Sequence, residues 1–124
     1  MANEVKAQTR LTFSKGGAKA NRGQSNQVDV AGDDYDAGIQ TIGTSNEVLA
    51  IKSDLGTAIA WCYFKNLDST NFVEIGNQNG GAPIYFVKLL AGESTVLPVT
   101  VTRDNIACKA DTAAVRLEFI VVEA

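Results

Sequence analysis

Apolar and polar residues alternate with a period of two through much of the chain. Val5, Ala7, Thr9, Leu11 and Phe13 alternate with Lys6, Gln8, Arg10 and Thr12, which predicts a half-buried first strand. Near the other end, Val115, Leu117, Phe119 and Val121 share one face. The opposite face carries Arg116 and Glu118, then Ile120 and Val122, so the far end is expected to be buried on both sides. Further strands are predicted over Ile39–Gly43, Val48–Ile51, Ile84–Leu90, Thr95–Thr102 and Ile106–Ala110, with a short candidate at Val28–Val30. Pro98 marks the Thr95–Thr102 strand as an edge or a bulge, because proline cannot donate to a ladder. No long stretch has a 3.6-residue period.

The densest stretch is Ala58–Gly76. Ala58–Lys65 is aromatic and β-branched, Asn66–Asn71 is polar except for Leu67, and Phe72–Ile75 closes at Gly76. It reads as a β-hairpin, with Trp61 supplying much of the core. Asn66, Asp68, Ser69 and Asn71 are residue types that bond their own backbone in turns. Eight or nine short strands with turns every 8–12 residues predict an all-β fold: a single-domain antiparallel β-sandwich, jelly-roll-like, over residues 1–124. Residues 14–27 break the pattern. They are rich in Gly, Lys, Asn and Ser, with Ala as their only apolar type. They are expected to form a flexible basic loop or arm.

Charge sharpens the reading of that segment. The net charge is −3, yet residues 1–27 hold five bases and one acid, which leaves −7 for the rest. Lys15, Lys19 and Arg22 are therefore candidates for contact with an acidic neighbouring subunit. Dispersed bases without interleaved aromatics do not point to nucleic acid.

Candidate chemistry is sparse. The chain has no histidine, which removes the commonest general base and transition-metal ligand. Cys62 and Cys108, the two cysteines, are expected as small buried hydrophobes. Asp33, Asp34 and Asp36 are candidates for calcium, but their spacing is not that of an EF-hand, and aspartate is also a turn former. Trp61, Tyr63, Tyr35 and Tyr85 offer either core packing or a sugar-stacking platform. No apolar run is long enough for a membrane helix, and no apolar signal core follows Met1, so synthesis in a cytoplasm is expected. No cofactor and no catalytic residue are expected.

Four stretches carry a resemblance. They are Gln40–Leu49 (QTIGTSNEVL), Phe64–Gly76 (FKNLDSTNFVEIG), Val87–Glu93 (VKLLAGE) and Ala110–Phe119 (ADTAAVRLEF). Together they resemble small structural proteins of tailed bacteriophages and prophages. In that group an Asn-Leu-Asp-x-Thr-Asn-Phe-Val-x-Ile-Gly segment precedes a Leu-x-x-Gly-Glu turn and an Ala-Asp/Asn-Thr-Ala strand. The resemblance covers residues 38–123. It implies a virion location and partnership with other virion proteins and with copies of itself, without membrane or nucleic acid. The role it implies is capsid decoration or cement, with a neck or tail component as the alternative. A carbohydrate-binding sandwich is the rival from another class.

Overall fold

The computed structural model describes residues 4–124, which form two compact units: a ribbon ending by Ala31, and a sandwich over Gly32–Ala124. Among the described residues there are ten strands, and every pairing is antiparallel. No helix among the described residues is long and apolar enough to cross a membrane.

The ribbon consists of β1 (Val5–Lys15) and β2 (Ala18–Val28), paired along their whole length. The predicted loop over residues 14–27 is thus a turn and a strand. Gly16 and Gly17 make the difference. Their φ angles of 55° and 89° suit a two-residue hairpin turn whose twist matches the strands. Backbone pairing then orders a segment that its side chains could not. The expected half-burial of β1 is also corrected: Leu11 is 75% exposed and Phe13 51%.

The other eight strands are β3 (Tyr35–Ile42), β4 (Glu47–Val48), β5 (Ala58–Asn66), β6 (Val73–Asn77), β7 (Ile84–Leu89), β8 (Ser94–Thr102), β9 (Ile106–Ala110) and β10 (Val115–Glu123). They pair as nested partners: β3 with β10, β4 with β9, β5 with β8, and β6 with β7. This is one long double strand with its tip between β6 and β7. It rolls up when β10 also pairs with β5, and β9 with β6. The result is two four-stranded sheets, ordered β3-β10-β5-β8 and β4-β9-β6-β7. That is an eight-stranded jelly roll.

The rolled topology overturns the expected hairpin at Ala58–Gly76. Both strands exist, but β5 and β6 belong to different sheets, and the polar segment between them is an arch across the end of the sandwich. The core lies between the sheets and includes Ile42, Leu49, Phe64, Val73, Leu117 and Val121. Val115, Leu117, Phe119 and Val121 all face inward, as their spacing predicts. Trp61 does not: Cys62 and Phe64 take the inner face, so alternation turns Trp61 and Tyr63 outward, where both are half-buried. Ile120 is likewise 40% exposed, so the far end of β10 is buried on one side only. Pro98 lies on β8, an edge strand, and next to a register shift against β5.

Candidate functional site

The four stretches quoted above lie far apart in sequence and meet at one end of the sandwich. At the centre is Asn66, fully buried and, among the described residues, the one buried polar side chain. Its Nδ2 donates to the carbonyls of Asn71 (2.8 Å) and Leu89 (3.1 Å), and its Oδ1 accepts from the N–H of Asp68 (2.9 Å). Asp68 Oδ2 in turn accepts from the N–H groups of Thr70 (2.9 Å) and Asn71 (2.6 Å). Those two N–H donors hold the Asp68 carboxyl below its usual range. The expected side chain–backbone bonding of Asn66 and Asp68 is therefore present.

Backbone bonds tie the arch to the other three stretches. Asn66 N–H donates to the Glu93 carbonyl and Leu67 N–H to that of Arg116, each at 2.9 Å; Asp111 N–H reaches Phe72 at 3.1 Å. Ala110 N–H donates to the Gly43 carbonyl at 2.8 Å, and Thr112 Oγ1 to Asn71 Oδ1 at 2.9 Å. Gly43 N–H is capped by Glu47 Oε1 at 2.8 Å. Asn66, Asp68 and Glu47 thus serve the backbone of this end, whereas the Asn71 side chain bonds those of Asp68 and Thr112.

The predicted contact residues Lys15, Lys19 and Arg22 lie in the tip half of the ribbon. Register puts Lys15 and Arg22 on the same face as Leu11 and Phe13, and Lys19 on the opposite face. On the polar face Arg10 reaches Asn21 Oδ1 at 2.7 Å. The sequence reading singled out the bases and missed Leu11 and Phe13, whose exposure only the pairing partner reveals.

A second surface is the outer face of the β3-β10-β5-β8 sheet. Tyr35, Val122, Trp61 and Pro98 form one cross-strand row; Ala37, Ile120, Tyr63 and Val96 form the next. The third row is Ile39, Glu118, Lys65 and Ser94. Three of the four aromatics considered for sugar stacking thus share a face. Tyr85 is on the other sheet, where its hydroxyl bonds Asn46 Oδ1. The signal was present in sequence, since Trp61 and Tyr63 alternate with the inward Cys62 and Phe64.

Of the calcium candidates, Asp34 and Asp36 have their carboxylates engaged elsewhere, and Asp33 is bonded through its backbone. Asp34 Oδ1 pairs with Lys52 Nζ at 2.7 Å, which lowers the Asp34 pKa and raises that of Lys52. Asp36 accepts from the N–H groups of Ala37 and Lys52, both at 2.9 Å, and Asp33 N–H donates to Glu123 Oε2 at 3.1 Å. Among the described residues no group of three or more His, Cys, Asp or Glu side chains could hold a metal ion. Cys62 and Cys108 are free and buried, as expected, and burial pushes each thiol up to about 12.

Compared with protein-family models, curated proteins and solved structures, the chain matches none.

Proposed function

We propose that this chain is a structural component of a tailed-bacteriophage virion, acting as a capsid decoration protein, with a place at the neck or tail as the alternative. The observation that carries the reading is the convergence at Asn66. The stretches that carry the resemblance are hydrogen-bonded to one another there, which supports reading them together. The jelly roll agrees with it, because this architecture recurs in viral capsid domains. The ribbon adds a separate element with an apolar face and a basic tip. A lattice protein of this kind binds by shape and buried area, and many small contacts add by avidity. No residue acts as a catalyst in this reading: the two cysteines are buried thiols at neutral pH.

Mass spectrometry of purified, fractionated particles tests it. Recovery with emptied capsids at high copy supports decoration, recovery with the tail fraction assigns the neck or tail, and absence from particles overturns the proposal. Carbohydrate binding is the second reading, favoured by the shared face of Tyr35, Trp61 and Tyr63. Titrating the emission of Trp61, the one tryptophan in the chain, with a glycan panel decides it: saturable quenching supports it and a flat response removes it.

A further inference from the structure

We infer that the apolar face of the ribbon is a docking surface for a second copy of this chain, and that it seats on the outer face of that copy's β3-β10-β5-β8 sheet. A two-stranded hairpin alone is marginal in water, and this one keeps its largest apolar side chains, Leu11 and Phe13, in solvent. Something must cover them if the ribbon is to persist. Another ribbon is a poor partner. Lys15 and Arg22 share the apolar face, so stacking two such faces brings like charges together.

The sandwich suits it better. Residues 1–31 carry five bases and two acids, a balance of +3, which leaves −6 for residues 32–124 of the total −3. Opposite net charges steer the ribbon of one copy toward the sandwich of another. Within the sandwich, the outer face of β6 and its neighbours carries one row of small, apolar and aromatic residues, Val48, Ala107, Gly76 and Tyr85, beside a charged row in which Glu74 lies opposite both Lys88 and Lys109. The outer face of the other sheet presents two successive rows that are wholly apolar or aromatic. Ile39 (55%) and Ile120 (40%) on that face are exposed in the single chain, as are Leu11 and Phe13. A second copy lets both surfaces be buried together, in the face-to-face manner of packed sheets. Glu118 lies between Ile39 and Lys65 in the third row and supplies a carboxylate to the ribbon's bases. Lys65 and Arg116 share the sheet, so apolar contact dominates locally and charge acts mainly on encounter.

The contact joins two different patches, so it is heterologous, and complementation tests it. One variant carries Leu11→Asp with Phe13→Asp, and a second carries Ile39→Asp with Ile120→Asp. Sedimentation equilibrium of the full-length protein is expected to show concentration-dependent association, weakened at least tenfold in either variant alone. Mixing the two variants is expected to restore a 1:1 complex, since each keeps the half the other lacks. Trp61 emission should shift to the blue with association in the wild type and in the mixture. Urea midpoints check folding, and Leu11→Ser with Ile39→Ser replace any variant that fails. A wild-type protein that is monomeric throughout, association that survives either variant, or failure of the folded mixture to associate overturns the proposal. A concentration-independent Trp61 shift on mutating the ribbon also overturns it, by showing packing within one chain. These readouts use purified protein, so they stand or fall separately from recovery in virions.

Discussion

Replacing Asn66 by alanine removes three hydrogen bonds from a fully buried side chain. Two of the groups left behind, the Asn71 carbonyl and the Asp68 N–H, are in partly buried contacts and can regain water, at about 1 kcal/mol each. The Leu89 carbonyl bond is buried, and an orphaned buried acceptor costs about 1–3 kcal/mol. The sum is roughly 3–5 kcal/mol, a large part of a typical domain stability of about 5–15 kcal/mol. With a urea slope of about 2 kcal/mol per molar, the unfolding midpoint should fall by roughly 1.5–2.5 M. Asn66→Asp separates bonding from volume. It keeps the shape and the acceptor for Asp68, but turns an oxygen toward the two carbonyls that Nδ2 now serves. At neutral pH it should therefore cost more than alanine, because a buried carboxylate would face acceptors without a counter-charge. An alanine variant within about 0.5 kcal/mol of wild type, or an aspartate variant milder than alanine, would refute the reasoning.

Three further outcomes are expected. A Cβ at Gly76 would lie inside van der Waals contact with the Ile84 carbonyl, where β6 and β7 slip register; Gly76→Ala should lose about 3 kcal/mol or more in urea unfolding, and wild-type stability would contradict the bulge. Cys62 and Cys108, with thiols pushed up to about 12, should resist a disulfide-exchange reagent at pH ~8 until the protein unfolds, and rapid native labelling would show that the core opens. The Asp68 carboxyl is lower in the folded than in the unfolded chain, so its contribution is full above the ordinary carboxylate range and is lost as pH falls through the folded value; Asp68→Asn should flatten the acid decline of the urea midpoint, and an unchanged slope would remove the arch as its source.

Most strands of the sandwich were legible because a period-two pattern reports directly which side chains must leave water, although the Val28–Val30 candidate is only the end of β2 and the Val48–Ile51 strand shrinks to Glu47–Val48. Alternation in Val115–Val121 marked an inward face, Pro98 marked an edge, and the two cysteines read as core. Pairing was not legible in the same way. Alternation says which face of a strand is buried, not which strand lies beside it, so Ala58–Gly76 reads as a hairpin although its strands belong to opposite sheets. Trp61 turns outward despite its aromatic bulk because its position alternates with the inward Cys62 and Phe64. The ribbon shows the converse case. Residues 18–28 have almost no apolar content, and their order comes from backbone bonds to β1 through a turn at Gly16-Gly17. By itself, then, the sequence determined an all-β chain, its inward faces and the turn-forming character of Asn66–Asn71. Only the tertiary structure decided that those turn residues close the end of a jelly roll, and that Leu11, Phe13 and Tyr35 remain in solvent, because burial depends on neighbours that pairing and the rolled topology bring in from distant positions.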